Sequence, residues 1–188
     1  MTRQGVVLYG PPAAGKDTVT KALATVDARY ELFARLKVGS GKTDGYRMGT
    51  AEQLHELEAG GDIVYANARY GNTYVIDRPG LDAAFAAGVP VVHLGQVAGL
   101  EDLLAGYPAD WLTVLLWCPR ATTERRSQER GDADTAARVR VWAETKHDLD
   151  EHAKFRFDVV LQTDVTAPEQ AARLIDRELA RRAEGSAA

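Results

Sequence analysis

Apolar runs and amphipathic stretches alternate along this chain from end to end. Residues 6–9, Val-Val-Leu-Tyr, are a short continuous apolar run that predicts a buried strand, and residues 16–26 after it are compatible with a helix. A possible second strand covers residues 30–38. Residues 39–46 follow as a loop, with three glycines in the seven positions 39–45. Residues 51–59 read as a short helix closed by Gly60 and Gly61. Residues 62–67 and 73–76 are β-prone pieces split by 68–72, which predicts a small antiparallel element beside the main sheet. Pro79 suits a first helical turn and Gly88 a helix stop, and residues 89–94 and 111–117 return as core strands. Two helices, 120–130 and 134–151, flank a turn at Gly131; a last strand at 157–161, a closing helix at 168–182 and a frayed tail complete the pattern. Helices that alternate with apolar strands predict an α/β fold, with a mostly parallel sheet covered by helices on both faces.

Composition narrows this further. With 188 residues, 45% apolar and 27% charged, the chain fits one domain with a full core and a small insertion. We expect a core of residues 1–34, 78–119 and 155–183, and an insertion at about 35–77. A net charge of −4 argues against a general nucleic-acid surface, which needs clustered positive charge. Cys118 is the only cysteine, so disulfide scaffolding and thiolate metal clusters are excluded, and its place at the end of an apolar run reads as packing. The opening Met1-Thr-Arg-Gln-Gly leaves no room for a secretory signal, so a cytoplasmic protein is expected. Residues 83–100 lack Asp, Glu, Lys and Arg, but Gly88, Pro90, His93, Gly95 and Gly99 break them into helix, turn, strand and loop, and no membrane span is expected.

The most specific chemistry is Gly10-Pro11-Pro12-Ala13-Ala14-Gly15-Lys16-Asp17-Thr18, set between the first strand and the first helix. That context is the one a phosphate-binding loop needs. Glycines let successive N–H groups turn inward, the helix start adds a positive dipole end, and Lys16 is placed to reach terminal phosphates. Asp17 stands where a hydroxyl residue usually helps to hold Mg²⁺, and Thr18 follows it. Both are oxygen donors and are candidate metal ligands. ATP as co-substrate and Mg²⁺ as cofactor are the corresponding expectations.

The later motifs are similar to those of guanylate kinase-like P-loop kinases, over nearly the whole chain. Tyr46 precedes the short helix at 51–59; Tyr70-Gly71-Asn72-Thr73-Tyr74, Arg126-Ser-Gln-Glu-Arg130-Gly131, Arg140 and Phe157-Asp158-Val159-Val160 follow in that family's order. The resemblance implies that Tyr46 and Tyr74 touch the acceptor's phosphate. It also implies that Arg126, Arg130 and Arg140, on a lid at about 120–145, act with Lys16 on the transferring phosphoryl group. Arg126 and Arg130 lie four apart and share one helical face. The implied activity is transfer of the γ-phosphoryl of Mg-ATP to the phosphate of a small phosphorylated acceptor, such as a nucleoside monophosphate.

Three departures bear on the acceptor. The family's arginine pair ahead of the tyrosine is replaced by Arg35, Lys37 and Lys42. Its guanine-reading Glu falls near Val64 or Tyr65, neither of which supplies a carboxylate, and its acidic pair is replaced by His93 and Gly95. The Gly-Lys-Asp-Thr loop ending resembles ribose bisphosphate phosphokinases, so a sugar-phosphate acceptor stands as a rival, and a catalytically inactive protein-binding domain as a rival of another class. Arg69 joins the candidate acceptor cations, and His93, at a strand's carboxyl end, faces either the acceptor or the core.

Overall fold

The computed structural model of the chain describes residues 3–41, 43–69, 71–132 and 134–185. Lys42 and Tyr70, both singled out above, lie outside the described residues. Five parallel strands form the central sheet in the order β2-β7-β1-β8-β9: β1 (Gln4–Tyr9), β2 (Tyr30–Leu32), β7 (Val89–Leu94), β8 (Asp110–Trp117) and β9 (Val159–Gln162). A second sheet, ordered β4-β3-β6-β5, is built from β3 (Arg35–Val38), β4 (Tyr46–Gly49), β5 (Ile63–Arg69) and β6 (Asn72–Asp77). Among the described residues seven helices complete the fold: α1 (Lys16–Val26), α2 (Ala51–Gly60), α3 (Arg78–Ala87), α4 (Val97–Gly106), α5 (Arg120–Glu129), α6 (Thr135–Glu151) and α7 (Pro168–Gly185).

β1 is central because helices cover both of its faces. Val6 and Leu8 point into one half of the core with Leu23 of α1 and Ile175 and Leu179 of α7. Val7 and Tyr9 point into the other half with Leu81 of α3 and Leu100 and Leu103 of α4. Full burial of such side chains stabilises by about 1.5–3 kcal/mol each, so the strand that delivers the loop at residue 10 is held from both sides.

Three local expectations are corrected. Residues 30–38 are not one strand: Phe33 still donates its N–H to Val91 O at 2.9 Å, and then the chain leaves the central sheet so that Arg35 pairs with Tyr46 in the second. Continuous β-propensity carries no information on which sheet a residue joins. β4 was hidden because its side chains are all partly or fully exposed, so no buried alternation marks it. α4 starts where a loop was expected, because Gly99 read as a breaker. It is instead a contact point, since a Cβ there would lie 2.8 Å from the Tyr65 ring.

Asp77 ties the second sheet to the core. One carboxylate oxygen caps α3 through Gly80 N–H at 2.8 Å, the other pairs with Arg47 of β4, and the residue is only 2% exposed. Loss of a cap costs about 1 kcal/mol, and loss of the pairing with a guanidinium that is 41% exposed removes up to about 1 kcal/mol more. Asp77→Ala is therefore expected to lower stability by about 2 kcal/mol in denaturant melts, with Asp77→Asn recovering the cap's share; an unchanged midpoint for Asp77→Ala would show that this junction is not held as described.

Candidate active site

The loop after β1 is forced into shape by its surroundings. A Cβ on Gly10 would lie 2.2 Å from the Leu116 carbonyl oxygen of β8, so only glycine passes there. Ala13 and Gly15 both adopt positive φ, 60° and 93°, which turns the backbone inward before α1 begins. No side chain caps α1, whose first N–H groups are left to face the loop. Lys16 folds over this cradle, donating from Nζ to Gly10 O at 2.6 Å and Pro11 O at 3.0 Å. Burial lowers its pKa to about 8, with Asp17 opposing the shift and Arg35 assisting it. The loop is also gripped from outside, by Thr123 Oγ1 donating to Pro12 O at 3.2 Å and Arg126 donating to Ala13 O at 2.9 Å.

The second sheet turns one face toward this loop, and period-two alternation decides what it carries. On β5 that face presents Tyr65, Asn67 and Arg69; across the ladder Asn67 opposes Tyr74, and Arg35 opposes Tyr46. These side chains enclose a cavity of about 270 Å³ with Gly10, Pro12 and Lys16 on one side and His93 and Gln96 on another. Tyr46 and Tyr74 pack at 5.3 Å between ring centroids, and the Arg35 guanidinium lies 5.3 Å above the Tyr74 ring. The described lining holds Lys16, Arg35 and Arg69 and no carboxylate.

Of the residues named from sequence, Arg35, Tyr46, Arg69, Tyr74 and His93 thus share one cavity with Lys16. Lys37 does not line it. Its ammonium donates to Ser40 O at 2.6 Å and sits 5.5 and 5.8 Å from the Tyr46 and Tyr74 rings, which places it behind the two tyrosines. Val64 faces Gly106 of α4, so Tyr65 occupies the wall where a base-reading carboxylate was sought, its hydroxyl donating to Gln96 Oε1 at 2.7 Å. Asn67, Gln96 and Thr145 are lining residues that sequence reasoning missed. The alternation of Tyr65, Asn67 and Arg69 was the available signal. Asn67 Oδ1 is buried in this wall with no partner among the described residues, an acceptor left for a ligand's donor.

The arginines of α5 and α6 separate into three environments. Arg126 is tied to Ala13 O and to Thr163 O, the latter at 2.5 Å, and with Arg130, Thr18 and Pro168 it lines a second cavity of about 320 Å³ on the opposite side of the loop. Arg140, expected near the phosphates, is 68% exposed and 4.0 Å from Asp134. Arg138 takes the inward position instead. It lies on the α6 stripe with Val141 and Thr145 and beside Pro12 and Arg69, donates to Asp132 Oδ1 at 3.2 Å and pairs with Oδ2 of the same carboxylate at 2.8 Å. Residues two apart on a helix point about 200° apart, which is why one faces the loop and the other solvent.

Asp17 and Thr18 are likewise divided. Asp17 opens on a third cavity with Thr20, Arg35, Asp44 and His93, whereas Thr18 lines the cavity of Arg126, so the two do not converge on one ion. Among the described residues no three His, Cys, Asp or Glu side chains gather to hold a metal. Asp17 alone fits an Mg²⁺ that brings most of its oxygen ligands from a polyphosphate.

No family model matches the chain. A curated guanylate kinase of Anaeromyxobacter dehalogenans is 33% identical over 145 residues, which is 73% of this chain and 64% of that protein; the chain thus spans under two thirds of its relative's length. Among solved structures, guanylate kinase from Anaplasma phagocytophilum superposes with a TM-score of 0.63 at 17% identity, covering 97% of this chain and 86% of that one. Shikimate kinase from Acinetobacter baumannii, in complex with shikimate, gives 0.51 at 16% identity, covering 97% and 95%. Among the described residues no helix is long and apolar enough to cross a membrane.

α6 is held against the site at its C-terminal half. Asp148 Oδ2 accepts from the Tyr9 hydroxyl at 2.7 Å and from Val97 N–H at 2.8 Å, joining α6 to β1 and to the start of α4; burial and this carboxylate raise the tyrosine's pKa. Removing the acceptor strands a half-buried hydroxyl and an N–H group, a cost of about 1–3 kcal/mol. Asp148→Ala is expected to lower stability by that amount and to speed amide exchange along α6 before the central strands; uniform exchange across the fold would refute the anchor.

Proposed function

We propose, on the guanylate kinase-like P-loop kinase fold that this chain has, that it transfers the γ-phosphoryl group of ATP to a phosphate oxygen of a small acceptor. The observation that carries this reading is the junction of a glycine-bounded loop at a helix start with a cationic cavity whose described lining holds no carboxylate, Lys16 lying between them. The donor's phosphates sit in the loop and its base on the Arg126 and Pro168 side; the acceptor's phosphate meets Arg35, Tyr46 and Tyr74. An acceptor oxygen attacks the γ-phosphorus in line, the bond to the β-bridging oxygen breaks, and ADP leaves. Such transfer passes through a loose transition state, so oriented positive charge matters more than a strong base. Bound Mg²⁺ would neutralise the phosphates, with Asp17 as the protein's ligand. Arg130 and Arg138, both facing Asp132, are the arginines placed to exchange that carboxylate for phosphate as α5 and α6 close.

The acceptor side departs from a guanine site. A guanine reader needs a carboxylate to accept from the base's N1 and N2 hydrogens; the described lining of the cavity has none, and Asp62, just before β5, and Asp77, at the end of β6, are engaged elsewhere. Asp77 caps α3, and Asp62 opens with it on a separate groove beside Arg47 and Glu56. Buried hydrogen bonds discriminate by roughly ten-thousandfold, and an apolar or aromatic wall by far less. The same absence favours a sugar phosphate as the second reading, since hydroxyl donors suit the Asn67 oxygen. A protein-binding domain without catalysis has no use for the loop's cradle.

The test is ADP formation from Mg-ATP with GMP, AMP, CMP, UMP, their deoxy forms and ribose bisphosphate at equal concentration. We expect turnover with a phosphorylated acceptor and no selective use of GMP. Efficient use of GMP alone would overturn the acceptor assignment, and no turnover with any phosphorylated acceptor would overturn the reading as a kinase.

A further inference from the structure

We propose that Asp17 and His93 form a divalent-cation site with a nitrogen ligand, one that takes a first-row transition ion such as Mn²⁺ in preference to Mg²⁺. His93 stands at the carboxyl end of β7, and its Nε2 is 2.8 Å from Thr20 Oγ1. Thr20 has one hydroxyl hydrogen, and it is directed to Lys16 O at 2.9 Å. The threonine oxygen must then accept from the ring, so Nε2 carries the hydrogen and Nδ1 presents its lone pair. Fixing the far nitrogen by a hydrogen bond is how a metal-binding imidazole is oriented.

Nδ1 is 3.6 Å from Asp17 Oδ1. That is too long for a hydrogen bond and fits two ligands of one ion, because bonds of about 2.1–2.2 Å to nitrogen and oxygen then meet at an angle of roughly 110–120°. His93 is the fixed partner, held by Thr20 and little exposed, whereas the Asp17 side chain is 79% exposed and free to adjust. The described lining of their shared cavity also holds Asp44, Lys21 and Arg35, two cations against two carboxylates, and the Lys16 charge bears on His93 as well. Two protein ligands in such a field bind weakly alone, and phosphate oxygens complete the shell. Imidazole is a good ligand for first-row transition ions and a poor one for Mg²⁺, which prefers oxygen throughout.

This deepens the phosphotransfer reading and rests on it for the phosphate ligands, so the test separates the two. Mn²⁺ is added to the full chain, alone at millimolar protein and again with ADP; loss of the free-ion EPR signal measures binding, and pulsed EPR detects nitrogen bound to the ion. We expect nitrogen coupling in the wild-type chain in both conditions. His93→Gln should abolish it and weaken Mn²⁺ binding at least tenfold, and Asp17→Asn should weaken binding with the coupling retained. Bound Mn²⁺ without nitrogen coupling in the wild-type chain overturns the site whatever the variants do, and leaves the kinase reading standing. Failure to bind ADP counts against the kinase reading, and the spectrum with Mn²⁺ alone then decides the site by itself.

Discussion

The close approach of Gly10 to the Leu116 carbonyl is the contact on which the site depends. It is possible because β1 is buried on both faces and hydrogen-bonded on both edges, so neither the strand nor its exit can shift to admit a side chain. From that fixed exit the chain turns through Ala13 and Gly15 into α1, and the uncapped helix start faces the same point as the Lys16 ammonium. Two hydrogen bonds from α5, through Thr123 and Arg126, hold the outside of the turn. Backbone dipoles and one buried cation are thereby oriented in advance; on the proposed reading, this is the form of electrostatic stabilisation that costs no reorganisation at the moment of reaction.

The second sheet adds charge to that centre without adding a carboxylate. Arg35 and Arg69 approach from strands whose register is set by ladder pairing, and aromatic rings cover the apolar part of the wall. α6 closes the remaining side. Its Arg69–Glu144 ion pair at 2.9 Å spans to β5, but both groups are well exposed and the pair contributes under about 1 kcal/mol. The anchor at Asp148 is the stronger tie, because it satisfies a tyrosine hydroxyl and a helix N–H group in a half-buried setting. Nearer its N-terminus α6 is tied to the end of β8 by Trp142, whose Nε1 donates to Cys118 O at 2.9 Å, and Arg138 lies one turn beyond that bond.

Much of the fold was legible because apolar runs and glycine stops are local signals: 16–26 and 89–94 are the bounds found for α1 and β7. β4 and α4 were not, since one is an exposed edge strand and the other contains a glycine required by a tyrosine distant in sequence. At the site, the loop was readable from its own residues. Arg138 and Arg140 were not separable, because helical phase matters only once the facing surface is known. Lys37 shows the same limit from the other side: charge and position suggested a phosphate contact, and tertiary packing put two tyrosines in front of it. Asn67 and Gln96 carry no charge and follow no motif, so only the assembled cavity reveals them.

On the proposed reading, Lys16 and its loop form the phosphate cradle of a phosphotransferase. The most direct measurement is the rate of ADP formation by Lys16→Ala, taken with its unfolding midpoint. Removal of one oriented charge donor from a preorganised site costs roughly a hundredfold to a thousandfold in turnover. A loss of that size is expected with the midpoint nearly unchanged, and a folded Lys16→Ala protein that keeps near-normal turnover would rule the cradle out.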